Sequence, residues 1–190
     1  TQGYPNRNGI DLNQVDLNSE MAQFESESSN PEHHARMLVM IEADAADPNN
    51  KFDLLKMIAG RLQTNATNDA VASAYIDLLT SVGTAQAQEI LSAVLGNGQV
   101  YPELAQASFG QAAKEQALID ISMLKSPTNM TVATVKPMLK SLNVGLHDTA
   151  ATVLGAIANN LTDEDPVAPQ LLTDLLTAKL SAARQPADAE

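Results

Sequence analysis

The chain has 190 residues, 44% of them hydrophobic, a formal net charge of -12 and no Cys. That length suits one domain able to bury a core without staples. The missing Cys excludes disulfide scaffolds, thiol catalysis and Cys-based zinc sites. The acidic balance repels phosphate backbones and anionic lipid, so neither nucleic-acid binding nor membrane docking is expected.

Only 3% of the residues are aromatic and there is no Trp, so the core must be built from Leu, Ile, Val, Met and Ala. Ala and Leu favour helix, and good strand formers are sparse. No apolar run approaches the length of a membrane span, so no membrane insertion is expected of this fragment. The opening Thr1-Gln2-Gly3-Tyr4-Pro5 has neither a start Met nor a signal peptide, the pattern expected of a processed fragment.

Residues 1–30 are polar, with Ile10, Leu12, Val15, Leu17, Met21 and Phe24 at irregular intervals. They read as an N-terminal arm, extended or partly disordered, with a short helix near 18–26; the alternative is an arm whose Ile, Leu and Val pack along the rest of the domain. The regular domain, 31–183, opens at Asn30-Pro31-Glu32, where Asn caps, Pro fits the first helical turn and Glu suits the dipole. Met37, Leu38, Met40 and Ile41 follow at helical spacing, and Asp47-Pro48-Asn49-Asn50 breaks the helix. A second helix begins after Asn50, with Asp53 at its third position and Phe52, Leu55, Ile58 and Leu62 as its stripe.

The clearest periodicity is Val71, Ala74, Tyr75, Leu78, Leu79 and Val82, closed by Gly83. Thr84 caps the next helix, whose stripe is Ala87, Ile90, Leu91, Val94 and Leu95 and which ends at Gly96-Asn97-Gly98. Tyr101-Pro102-Glu103 opens another, interrupted near Gly110 and continued by Ala113, Ala117, Leu118, Ile121 and Leu124. After the turn Ser126-Pro127-Thr128-Asn129 comes a helix through Val132, Val135, Met138, Leu139 and Leu142, bent at Pro137 and stopped by Asn143 and Gly145. His147-Asp148 leads into Val153, Leu154, Ile157 and Leu161. Asp165-Pro166 then opens a last helix with Leu171, Leu172, Leu175, Leu176 and Leu180, before a frayed tail at 184–190. The expectation is all-α, about eight helices joined by short turns. Each has one apolar stripe and must pair to hide it.

Two segments repeat. Ala74-Tyr75-Ile76-Asp77-Leu78 matches Ala117-Leu118-Ile119-Asp120-Ile121 in type at every position, and a turn and an apolar helix follow each. Ala151-Thr152-Val153-Leu154 begins a weaker third copy. On these residues the chain resembles the HEAT-like α-solenoids across 67–180, at a unit spacing of roughly 35–45 residues. The stretch from Tyr75 through Val82-Gly83-Thr84 also looks like the helical-hairpin units of the vitellogenin-type lipid-transport family. The resemblance implies stacked antiparallel hairpins forming a superhelix, with a compact irregular helical bundle as the alternative. The aromatic, Arg and Pro anchors of well-matched HEAT repeats are missing, and lipid carriage is not carried over, because the full family architecture is absent.

Candidate chemistry is sparse. His33-His34 lie about 100° apart on a helix and do not converge on one metal. The acidic clusters are Glu25-Ser26-Glu27, Glu42-Ala43-Asp44 with Asp47, and Asp163-Glu164-Asp165. They read as caps and solvated surface, and the middle one lacks the ligand pattern of a calcium loop. Asn65-Ala66-Thr67, Asn129-Met130-Thr131 and Asn160-Leu161-Thr162 fit the glycosylation sequon, but each sits at a turn where Asn and Thr serve as caps. No nucleophile elbow, phosphate loop, dinucleotide fingerprint or zinc-protease motif occurs. No catalytic, cofactor-binding or metal residue is therefore assigned.

These features point to a non-catalytic interaction or scaffold module for a protein or peptide partner. The alternative is a carrier of an apolar ligand between helices, suggested by Met37, Met40, Met57, Met123, Met130 and Met138. Plentiful Asn and Gln, few Lys and no Cys lean toward an extracytoplasmic bacterial setting.

Overall fold

The computed structural model describes residues 9–49, 51–140 and 144–160. Of residues 139, 140, 144–147 and 158–160 it describes the backbone alone. Among the described residues nine α-helices and two 3-10 turns make up the regular structure, and no strand occurs.

A 3-10 turn at Leu12–Gln14 precedes α1 (Leu17–Ser26), which Asp16 caps through Ser19 N. Both elements lie in the stretch read as an arm. Leu12, Leu17, Met21 and Phe24 are buried in the common core, so this segment packs on the domain from Leu12 onward. Helix α2 (Pro31–Ala46) begins at the Asn30 cap, whose Oδ1 accepts from Glu32 N.

Helix α3 (Leu54–Thr64) starts later than the stripe suggests. Asp53 is its N-cap, at φ 45° in the left-handed region, and Phe52 packs on the core from outside the helix. A second carboxylate explains the delay. Asp44 Oδ2 accepts from Leu54 N at 2.7 Å, while Asp53 Oδ1 accepts from Lys56 N, so two acids satisfy two of the orphan donors of this first turn.

Helix α4 (Asp69–Val82) is capped by Asn68 and ends at Gly83, whose φ of 64° favours glycine. Thr84 caps α5 (Ala85–Val94) through Ala87 N. The interrupted helix resolves into a single turn, α6 (Pro102–Ala105), and α7 (Gln111–Ile121). Gly110 sits between them against Asp69. A Cβ there would lie 2.5 Å from Asp69 Oδ1, so a larger residue requires the exposed Asp69 side chain to swing aside.

Helix α8 (Asn129–Val135), capped by Thr128, passes into a 3-10 turn at Lys136–Lys140 rather than continuing. Pro137 lacks the N–H that an α-helix needs there. Helix α9 (Val144–Asn160) already contains Gly145, which therefore does not act as a stop ahead of it. The helix expected over Leu171–Leu180, its Asp165-Pro166 start and the tail at 184–190 lie outside the described residues.

Packing follows chain order in two series. Helix α2 packs on α4, α4 on α7 and α7 on α9, while α3 packs on α5 and α5 on α8. Helices α4 and α5 pack on each other and so join the two series. One apolar cluster runs from Leu12 to Ile157, with the side chains of Ile58, Leu62, Ile76, Leu78, Leu79 and Ile90 fully buried. Few polar side chains enter it, and each such group must find a partner or destabilise the fold.

Candidate functional site

Three polar assemblies fix the helices relative to one another. The first joins α1, α3 and α4. Tyr75, fully buried, donates its hydroxyl to Glu25 Oε1 at 2.9 Å and stacks tilted against Phe24 at 4.8 Å between centroids. Glu25 also faces Arg61 Nη1 at 3.5 Å. Burial first, then the Glu25 hydrogen bond, push the Tyr75 phenol well above its ordinary range, so it stays a neutral donor. Nearby, Arg36 grips Glu20 with two bonds of 2.6 Å, and this hydrogen bonding holds the Glu20 acid below its usual range.

The second assembly centres on Gln88 of α5. Its Nε2 donates to Gly83 O and Ser126 O, at 3.0 and 2.9 Å. Its Oε1 accepts from Thr128 N and Thr131 Oγ1, at 2.8 and 2.9 Å. Every hydrogen-bonding position of this buried amide is filled. The turn before α8 is thereby tied to the body of the protein by a side chain the sequence does not single out.

The third assembly lies between α4 and α7, on the repeated segments. Asp120 is 1% exposed. Gln116 Nε2 reaches Asp120 Oδ1 at 2.7 Å and Asp77 Oδ1 at 3.3 Å, and Thr80 Oγ1 stands 3.2 Å from Asp120 Oδ2. Burial first, then the hydrogen bond and charge of Asp77, raise the Asp120 acid to about 7, against the opposing pull of Gln116 and Thr80. Periodicity could not single out this pair, because Asp at a helix surface is ordinary. The signal present in the sequence was the equal position of the two acids in the repeat.

The histidines stand apart. His33 Nε2 is 3.3 Å from Glu27 Oε2, whereas His34 Nε2 is 3.4 Å from Ser81 Oγ and its ring lies against Phe24. Hydrogen bonding from Asn30 and then the neighbouring His33 lower the Glu27 acid. In the middle acidic cluster, Asp44 caps α3 and Asp47 Oδ1 accepts from Asn49 N at 3.0 Å. Among the described residues no group of three or more His, Cys, Asp or Glu side chains is placed to hold a metal ion.

Of the sequon asparagines, Asn65 donates to Glu25 and to Arg61 O, and Asn129 is the exposed first residue of α8. The sequon at Asn160 and the acidic cluster at Asp163 reach outside the described residues. The methionines divide: Met37 and Met40 are core, Met57, Met130 and Met138 are half-buried, and Met123 is 61% exposed.

A shallow groove of about 470 Å³ lies where the end of α3 meets the segment after α6. Polar side chains dominate its wall: Gln63, Thr64, Thr67, Glu103, Gln106 and Ser108. Elsewhere, Ile119 and Met123 are exposed one helical turn apart at the end of α7. Among the described residues no helix is long and apolar enough to cross a membrane. Comparison with protein-family models, curated proteins and solved structures returns no match for the chain.

Proposed function

We propose that this chain is a non-catalytic interaction or scaffold module, a stack of helical hairpins that offers its surface to a protein or peptide. The observation that carries the reading is the packing order. Successive helices α2, α4, α7 and α9 lie against one another in sequence, with α3, α5 and α8 following suit. Such an arrangement favours an elongated superhelix of hairpins over a bundle closed on itself, because stability then comes from each unit's neighbours.

The polar assemblies fit this role. The Tyr75–Glu25–Arg61 and Gln88 networks sit at joints between helices, where they fix geometry, and their donors and acceptors are engaged in holding the fold. The net charge of -12 suits a partner with a basic face. The methionines that suggested an apolar carrier are spread between core and surface, and the groove wall is mainly polar.

The test is affinity capture with the wild-type chain beside two surface variants, Thr67→Arg with Gln106→Arg in the groove, and Ile119→Glu with Met123→Glu at the end of α7 and the turn after it. The reading expects a partner retained by the wild type and lost by one variant. A captured set identical for wild type, both variants and a heat-denatured control would overturn it.

A further inference from the structure

The turn that closes α5 holds Asn97 at three of its atoms, and the residue after it is Gly98. Asn97 N donates to Ser92 O at 3.0 Å, while Gly96, at φ 99°, donates to Ala93 O. These are the paired bonds that end a helix at a left-handed glycine. Asn97 Oδ1 accepts from the backbone N–H of Gln99 at 3.1 Å. Asn97 Nδ2 donates to Thr134 Oγ1 on α8 at 2.8 Å, and the Thr134 hydroxyl donates its own proton to Met130 O. A backbone N–H can only donate, so Gln99 fixes which end of the Asn97 amide is oxygen and leaves Nδ2 to face Thr134.

Asparagine is among the labile residues of proteins, and before glycine no side chain shields the next backbone nitrogen. The Gly98 nitrogen gives its proton to solvent and attacks Asn97 Cγ. A nitrogen–Cγ bond forms, the Cγ–Nδ2 bond breaks, and Nδ2 takes up a proton from water and leaves as ammonia. One water then opens the five-membered imide to aspartate, or to isoaspartate with the backbone running through the former side chain. In balance, one water is consumed and one ammonia released. Gly98 is exposed, so water reaches it. Ring closure needs Cγ to move onto the Gly98 nitrogen and turn tetrahedral, which the bonds at Oδ1 and Nδ2 resist.

We propose that Asn97-Gly98 is a self-modification site gated by Thr134, closed while α8 holds the Asn97 amide against the end of α5 and converted to isoaspartate or aspartate once that joint opens.

Helices α5 and α8 pack on each other, and the Thr134 contact bridges them at this turn. Local opening of such a joint releases the amide without unfolding the whole chain. Reclosing does not restore it. The product carries a carboxylate, with no N–H for Thr134, and isoaspartate lengthens the backbone between the end of α5 and Gly98. The site thus keeps a covalent record that the joint has opened, whether or not the chain holds a partner. The fold does not itself demand glycine at 98. A Cβ there would meet Pro102 Cα at 3.4 Å and Ala105 Cβ at 3.5 Å, ordinary contacts, and the backbone lies outside the left-handed region. Gly98→Ala therefore shields the nitrogen and keeps the turn.

The test incubates the full chain at mildly alkaline pH, folded and in urea. Peptide mass spectrometry after chromatography separates the asparagine, aspartate and isoaspartate forms of residue 97. The peptide with Asn8-Gly9, which carries the same pair, is read separately. Conversion should be many times faster in the unfolded wild type than in the folded one. Thr134→Val should raise the folded rate toward the unfolded rate, while Thr134→Ser, which keeps the oxygen, should leave it low. Gly98→Ala should suppress conversion in both states. Equal rates for folded and unfolded wild type, or for folded Thr134→Val and Thr134→Ser, would overturn the proposal. If Thr134→Val fails to fold, Thr134→Ala removes the same oxygen and takes its place.

Discussion

Helices α4 and α7 carry the same five-residue pattern and bury it differently. In α4 the third position, Ile76, is fully buried and the fourth, Asp77, is exposed. In α7 the third position, Ile119, is 48% exposed and the fourth, Asp120, is buried. The reason is the company each helix keeps. Helix α4 is packed by α2, α3, α5 and α7, whereas α7 is packed by α4, α5 and α9. A repeat in sequence thus fixes which residues are available at a joint, and the neighbours decide which of them go inside.

The comparison yields graded expectations. The fifth position is fully buried in both copies, so Leu78→Ala and Ile121→Ala should each cost about 2–5 kcal/mol, and Ile76→Ala should fall in the same range. Urea denaturation checks all three. A loss below about 0.5 kcal/mol for any of them would remove that residue from the core.

Gln88→Ala comes next, at about 1–3 kcal/mol, because it removes a buried amide that partners the Gly83 and Ser126 carbonyls and the Thr128 amide at a partly buried turn. Its effect should appear in proteolysis of the turn before α8 as well as in global stability. Unchanged cleavage there would mean that other contacts hold the turn. Smallest is Ile119→Ala, expected to change stability by less than about 0.5 kcal/mol. Set beside Ile76→Ala, it is the sharpest form of the comparison, since residue type and repeat position are the same. Equal costs would mean that the two copies are buried alike.

The sequence makes the helices and most of their ends legible, because caps act locally. Asn30, Asn68, Thr84 and Thr128 all accept from backbone N–H groups at helix starts. Gly83 closes α4 through its left-handed backbone. Legibility fails where an end is set by a distant residue. Asp44 reaches across ten positions to Leu54 N, so α3 begins after Asp53 rather than before it. The packing of the arm is only partly legible for a related reason. Its apolar residues follow no long periodicity, yet Met21 and Phe24 sit one turn apart in α1 and find Tyr75 and the core beside it.

The candidate site is less legible still. Gln88 and Asp120 are polar residues on amphipathic helices, indistinguishable in one sequence from solvated ones. Only the packing of α5 against α8 and of α4 against α7 turns them into buried groups with filled hydrogen bonds. The third repeat copy shows the same limit. Burial in α9 matches α7 best when Ala150, not Ala151, is aligned with Ala117, since Ala150, Val153 and Leu154 are inside and Thr152 is outside.

The central claim is that α4 and α7 belong to one cooperative core, not to separable units. Native-state amide hydrogen exchange tests it most directly. The slowest amides of the two helices should exchange with the same free energy and respond together to added denaturant. Amides of α7 that open on their own, while those of α4 keep full protection, would contradict it.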